Sequence, residues 1–340
     1  VIIISKRKGR EMRTSIGAGH ALYPGLRTLA RLALLPAGAA LIGYAGEHHW
    51  LLDLCAHFRW QYLLAMAVGL TAALLVRKRG IVVLLALVSL ANAWSLGSAT
   101  GPAPAATGAI AAVPAHAAVS WKLLVVNVHL DIQDLRPLLK LIERESPDAV
   151  GIIELTPHAA EGLAVLAQRY PVSRIEPRDD PFGIGLWSRL PASQVDLVSM
   201  PPLGFPALQL HWAAPDPGSL WLVHPFPPIG AEATAWRDTQ LRYTAGLIRG
   251  DEDAVLAGDL NATPWSSAYR QLRQEAGLVD SNAQGWPWPT WFGAGLASQI
   301  LAVPIDHVLH GSAWRSVKHR IGPDIGSDHR PLIVELARVR

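Results

Sequence analysis

The sequence predicts an α/β protein of the α+β kind: two packed β-sheets flanked by helices, preceded by N-terminal transmembrane helices. Two observations predict it. Long unbroken apolar stretches fill the N-terminal third, and from Trp121 onward short β-branched runs alternate irregularly with helical segments. Neighbouring strands joined by short links favour antiparallel pairing, which suits packed sheets better than a doubly wound fold.

The apolar residues are unevenly spread, and so is the charge. The 340 residues are half hydrophobic and 17% charged. Residues 1–119 hold 11 of the 30 Lys+Arg and 3 of the 27 Asp+Glu, so the remainder is mildly acidic. The pI near 9.1 therefore describes the N-terminal third, and no basic stripe for a nucleic-acid backbone stands out beyond it. Cys55 is the only cysteine, which excludes an intramolecular disulfide and a cysteine-based zinc site.

Three apolar stretches, Leu29–Ala45, Trp60–Val76 and Ile81–Leu96, are each at the short end of the roughly 17–25 residues that cross a bilayer. Arg31 and Pro36 weaken the first. A cleaved signal peptide fits badly, because the apolar character recurs and no small-residue cleavage site follows the first stretch. A soluble bundle fits badly too, because Ile81–Leu90 has no polar face. Arg77-Lys78-Arg79, and the tail with Lys6, Arg7, Lys8, Arg10 and Arg13, should stay cytoplasmic, while the loop EHHWLLDLCAHFR can cross. The expectation is a multi-pass anchor over residues 1–97 in a bacterial cytoplasmic membrane, with everything after it facing the periplasm or exterior. Residues 98–119, rich in Ala and Pro, read as a linker, and residues 120–340 as the catalytic domain.

Within that domain the expected strands are Lys122–Val128, Ala149–Glu154, Gly183–Ser188, Ala207–His211, Leu220–His224, Ala254–Gly258, Ile305–Leu309 and Pro331–Leu336. Leu135, Leu138, Leu139 and Ile142 mark one helical face, and Ala231–Ile248 a second helix. Polar residues stand where these apolar runs end or break: Asn127, Glu154, His224, Asp259 with Asn261, Asp306 with His307, and Asp328 with His329. All are metal-binding or acid–base types.

Each type has a task in phosphate ester hydrolysis. Growing negative charge calls for a hard cation on oxygen ligands, for which Glu154 with Asn127 beside it is the best candidate. Asp259 suits orientation and deprotonation of water, Asn261 donation to phosphate or water, and His329 paired with Asp306 either donation to a non-bridging oxygen or acceptance of a proton. Taken singly the bland readings compete: Glu154 as an exposed strand end, Gly258-Asp259-Leu260-Asn261 as a turn, Ser327-Asp328-His329 as a cap. Asp306 in an apolar run is harder to dismiss, since an unpaired buried carboxylate is costly. His129 and His211 read as structural, and Asp131, Asp134, Asp179 and Asp180 as solvated charges.

The ordered series Asn127, Glu154, His224, GDLN at 258–261, PIDH at 304–307 and SDH at 327–329 resembles the endonuclease/exonuclease/phosphatase family over about residues 120–338. PTW at 289–291 also matches. The resemblance implies a four-layer α/β sandwich of two mixed sheets and dependence on Mg²⁺ or Mn²⁺. It implies that Glu154 is the principal metal ligand, with Asn127 adjacent and Asp328 on the metal and phosphate side. It implies further that Asp259 orients water, that Asn261, His224 and His329 contact the phosphate, and that Asp306 orients His329. Departures from the family pattern are His129 where many nucleases carry Asp, Ile153 where Gln is common, and the segment Val223–Pro228, which reshapes the rim near His224. With the N-terminal spans, the chain looks like a membrane-anchored bacterial branch of the family.

The expected partners are the lipid bilayer and a phosphoester substrate of the lipid-linked or envelope phosphate kind, with the Trp-rich segment Gly285–Gly295 as an apolar lip or as packing around Trp291. An extracytoplasmic nuclease, with nucleic acid as partner, is less favoured; a catalytically inactive binding module is the third reading. The sequence sets no oligomeric state.

Overall fold

The computed structural model describes residues 17–98, 120–190, 192–212, 217–283, 286–293, 295 and 298–339. The basic tail with Lys6, Arg7, Lys8, Arg10 and Arg13, the linker after Ser98, and part of the Trp-rich segment lie outside the described residues.

The N-terminal third is helical: α1 (Gly17–Leu32), α2 (Leu34–Ile42), α3 (Trp50–Ala56), α4 (Arg59–Leu75) and α5 (Arg79–Ser98). Tyr23–Ala45 and Arg79–Ser98 are each long and apolar enough to cross a membrane. A third stretch qualifies only if α3 and α4 count as one span, bent by 68°. The first stretch thus begins earlier than Leu29. Pro36 costs it little, because it falls in the first turn of α2, where backbone N–H groups lack helical partners in any case. Alone, α4 has 17 residues and is about 26 Å long, short of a bilayer core of about 30 Å. A Cβ on Gly69 of α4 would lie 2.0 Å from the Cβ of Ala33, so the glycine is what lets these helices touch. α5 turns Val83, Leu87, Leu90 and Trp94 outward in one stripe, Trp94 with 79% of its surface bare. Such a face suits hydrocarbon better than water.

From residue 120 the chain runs β1 (Ser120–Asn127), α6 (Arg136–Glu145), β2 (Ala149–Ile153), α7 (Pro157–Gly162), β3 (Val172–Glu176), β4 (Ile184–Ser188), β5 (Ala192–Met200), β6 (Phe205–Trp212), β7 (Gly218–Val223) and α8 (Ala231–Ile248). It continues with β8 (Ala254–Asp259), α9 (Ser267–Ala276), β9 (Val279–Asp280), β10 (Asp306–His310), β11 (Trp314–Ile321) and β12 (Leu332–Arg338). One sheet has the order β11-β12-β1-β2-β4-β3, the other β5-β6-β7-β8-β10-β9. Both are mixed: β1 with β2 and β7 with β8 are parallel, and the other pairs among the described strands are antiparallel. A parallel pair needs a crossover, which α6 and α8 supply.

Three apolar cores define four layers. Leu123, Val125, Leu186, Leu208, Leu222, Val255 and Val334 fill the space between the sheets. Leu138, Ile142, Ile152 and Ala159 seal α6 and α7 onto the first sheet. Leu241, Ala245, Leu256 and Tyr269 seal α8 and α9 onto the second. The expected face of α6 shifts by one contact. The helix begins at Arg136, so Leu135 is its cap, and Leu141 is buried while Leu139 stays half-buried. β3, β5, β9 and β11 are additions to the expected strands, as are α7 and α9.

Candidate active site

The site is made where the two parallel pairs end. Asn127 lies level with Ile153 across β1 and β2, so Glu154 emerges directly beside it. The Asn127 Nδ2 donates to Glu154 Oε1 at 2.8 Å, and the Leu130 amide donates to Oε2 at 3.0 Å. In the second sheet Val223 lies level with Gly258, so His224 and Asp259 emerge together, His224 Nε2 standing 3.6 Å from Asp259 Oδ2. The antiparallel register of β10 sets Asp306 opposite Asp259. The turn before β12 completes the group. Ser327 Oγ donates to the Asn127 carbonyl at 2.8 Å, and His329 Nδ1 meets Asp306 Oδ2 at 2.8 Å. At the site the two sheets meet where Asn127 Nδ2 also reaches Asp259 Oδ2 at 3.2 Å.

Local backbone is shaped to this end. Gly258 has φ +151°, and a Cβ there would lie 2.0 Å from the Val223 carbonyl oxygen, so only glycine lets β8 run this close to β7. Glu154 at φ +59° and Asn261 at φ +49° are left-handed, which is rare for glutamate and marks residues held in place by their surroundings. The Asn261 amide donates to Asp259 Oδ1 at 2.9 Å, and its Nδ2 donates one hydrogen to the Pro225 carbonyl at 2.9 Å. His224 Nδ1 meets the Pro181 carbonyl at 3.0 Å, which turns Nε2 toward Asp259.

Ligand-capable atoms of Asp259, Asp306 and His329 all lie within 4.8 Å of one another, and all three residues are buried. Burial, then the neighbouring Asp306, pushes the Asp259 carboxyl up to about 6, against the pull of the two histidines. For His329 burial alone would lower the pKa, but the charges of Asp306 and Asp259 outweigh it and raise it to about 10. The imidazole is therefore protonated at neutral pH, donating Nδ1–H to Asp306. Carboxylates outnumber cationic groups here, and Glu154 meets only uncharged donors. An oxygen-rich, sulfur-free set of this charge fits a hard divalent cation.

Asn127, Glu154, His224, Asp259, Asn261, Asp306 and His329 are thus brought together. Asp328 is placed differently: its Oδ2 accepts from Trp291 Nε1 at 2.9 Å and its backbone carbonyl takes the Phe292 amide. His307 points away into the second sheet's outer core, its Nε2 on the Ala262 carbonyl at 2.9 Å, and burial lowers its pKa.

The Trp-rich segment divides between its two readings. Trp291 packs locally against Asp328, while Trp286 and Trp288 lean on Trp60 of α4, with ring centroids at 4.7 and 6.4 Å. A cavity of about 690 Å³ lies beside them, lined by Trp286, Trp288, Phe292, His307 and Arg330, and it shares Asp306 with the polar cluster. On the other flank an aromatic rim that sequence reasoning missed surrounds His224. Phe182 stands 5.5 Å from the imidazole, and Phe226 contacts Phe182, Phe205 and Trp236. Only the change at Val223–Pro228 hinted at it.

Residues 124–329 match the Endonuclease/Exonuclease/phosphatase family, and the chain belongs to it. This is a family of phosphoester hydrolases in which divalent metals are typical. Among solved structures it is similar to the endonuclease/exonuclease/phosphatase from Beutenbergia cavernae DSM 12333, at 21% identity and TM-score 0.52, over 64% of this chain and 72% of that one. It is also similar to D. rerio TDP2 complexed with single strand DNA product, at 18% identity and TM-score 0.54, over 64% and 98%. The human Nocturnin catalytic domain with bound sulfate anion follows at 15% identity and TM-score 0.52, over 65% and 94%. At such identities the likeness is one of fold. No curated protein matches the chain.

Proposed function

We propose that this protein is a phosphoester hydrolase dependent on Mg²⁺ or Mn²⁺, working at the outer face of a bacterial cytoplasmic membrane on a lipid-linked or envelope phosphate. The observation that carries the reading is the meeting of Asn127, Glu154, Asp259 and the Asp306–His329 pair at one edge of the sandwich. Glu154 and Asn127 would hold the cation, which supplies positive charge against the charge that grows during ester cleavage, while Asp328, held by Trp291, would act through its charge beside His329. Asp259 orients the attacking water and takes its proton, a task suited to a carboxyl at about 6. His329 presents Nε2–H to a non-bridging oxygen while Asp306 fixes its ring. His224 and the second Nδ2 hydrogen of Asn261 contact the phosphate.

The membrane side of the reading draws on the anchor. Trp60 begins α4 and packs on Trp286 and Trp288, and Gln61 Nε2 donates to the Ala302 carbonyl at 2.9 Å. Tryptophans are enriched at bilayer interfaces, so the Trp60, Trp286 and Trp288 cluster beside the cavity supports a site that works close to lipid headgroups. α3 touches α8, so the loop between the first two stretches shares a side with the sandwich, opposite Arg77-Lys78-Arg79. A reporter fused after Arg340 and active only in the cytoplasm is expected to stay silent.

The deciding assay uses the full chain in lipid nanodiscs, with lipid phosphomonoesters and phosphodiesters in the disc and plasmid DNA in solution, each with Mg²⁺ and with EDTA. Metal-dependent release from lipid is expected. Rapid DNA cleavage without lipid product sinks this reading in favour of a nuclease, and no turnover of either leaves a binding module.

A further inference from the structure

We infer that α3, the segment between the first two apolar stretches, is a working part of the catalytic site, with Asp53 and His57 as positioning residues for the loop Asp259–Ser267. The inference rests on the functional reading above for what that loop does, and on geometry for how it is held.

Asp53 is 2% exposed and its carboxylate is fully engaged across the junction. Oδ2 accepts from Arg237 Nη2 at 2.7 Å; Oδ1 accepts from the Ser267 amide at 2.9 Å and the Ser267 hydroxyl at 3.0 Å. Arg237, wholly buried on α8, passes the contact on by donating Nη1 to the Asn261 carbonyl at 3.3 Å. One turn along, buried His57 accepts the Thr263 amide on Nδ1 at 3.4 Å. Among the grips on the loop that carries Asp259 and Asn261, those at the Asn261 carbonyl, Thr263 and Ser267 lead back to Asp53 of α3 and to His57, its C-cap.

Two physical arguments make this more than a tether. A buried carboxylate and a buried guanidinium are costly unless paired; Asp53 finds its cation in the sandwich, and Arg237 finds its most buried anion in the anchor. Arg237 also meets Asp238 of its own helix at 2.8 Å, but that carboxylate is partly exposed, and only docking gives Arg237 a buried anion and Asp53 a guanidinium. Asn261 also holds a left-handed backbone, and such conformations persist when surroundings over-determine them. The α3 contacts are part of those surroundings. Because Asp53 and His57 touch neither substrate nor cation, they act through the placement of Asp259 and Asn261.

The test uses the full chain in nanodiscs as wild type, Asp53→Ala and Asp53→Glu, with amide hydrogen exchange and with Mg²⁺-dependent hydrolysis of bis(p-nitrophenyl) phosphate. Asp53→Ala is expected to exchange about 10-fold faster over residues 258–267, with β1 unchanged, and to lose about 10–100-fold in kcat with KM within about 3-fold. Asp53→Glu recovers part of both. Exchange and kcat within about 2-fold of wild type in Asp53→Ala overturn the inference. Should Asp53→Ala fail to assemble, a protease site placed in the linker of the wild-type chain decides it. The cut sandwich is expected to stay on the disc through a wash, and its release overturns the inference. A wild type that hydrolyses nothing counts against the functional reading alone, since exchange and retention still report on the docking.

Discussion

In both sheets the parallel pair ends at the site, β1 and β2 delivering Asn127 and Glu154, β7 and β8 delivering His224 and Asp259. The two ends are equipped differently. Glu154 is half-buried and bonded by an amide side chain and a backbone N–H, so its charge stays available to an incoming cation. Asp259 is buried between two histidines and a second carboxylate, where proton ownership is contested. In the proposed function the first sheet takes the cation and the second the proton, and the difference in burial suits that division.

The comparison can be broken at either end. Glu154→Ala should have the largest effect, a loss of more than about 10³-fold in Mg²⁺-dependent turnover, because several kcal/mol of charge stabilisation go with the cation. Titration with Mn²⁺ should show weakened binding, and unchanged metal affinity would place the ligand elsewhere. Asp306→Asn should lower kcat by about 10²–10³-fold, the range of a lost acid–base partner, while Mn²⁺ affinity changes little. Equal metal loss in both variants would erase the proposed division. Trp291→Phe removes the hydrogen bond to Asp328 and should cost about 10-fold in turnover, as loss of a supporting contact does. No change would leave Asp328 outside the working site.

The smallest effect concerns the outer edge of the first sheet. Burial pulls the Glu145 carboxyl upward, but Arg320 and Lys122 outweigh it and hold the pKa below the usual range. A depressed folded pKa contributes stability above the unfolded value, lost as pH falls through the folded one. Glu145→Gln should therefore show a small drop in Tm at pH 7 that shrinks toward acid, with turnover unchanged; a Tm gap that widens toward acid would contradict the sign.

Much of the site was legible because the apolar runs of β1, β2, β7 and β8 stop at polar residues, and a strand end is where a sheet presents its side chains. Asp328 was harder: adjacency to His329 says nothing about which way its carboxylate turns, and Trp291 claims it. β3 and β11 escaped because β3 is largely exposed, β11 mostly half-buried, and they carry Arg174, Glu176, Arg315, Lys318 and Arg320, so they lack the apolar run that betrays a strand. β9, with two residues, has no pattern to show. The rim of Phe182, Phe205, Phe226 and Trp236 comes from separate segments that only the fold joins. The role of Asp53 was invisible for the same reason, its partners lying some 184 and 214 positions away.

β1 lies between β2 and β12, so the strand that carries Asn127 is bonded on one side by residues synthesised far later. The Ser327 hydroxyl that closes on Asn127 comes 200 residues after it. Asn127 and Glu154 are therefore made well before Asp259, Asp306 and His329, the residues they meet in the folded site. The cluster is complete only when the final strand pairs with the first, so the site exists only once the whole domain has closed.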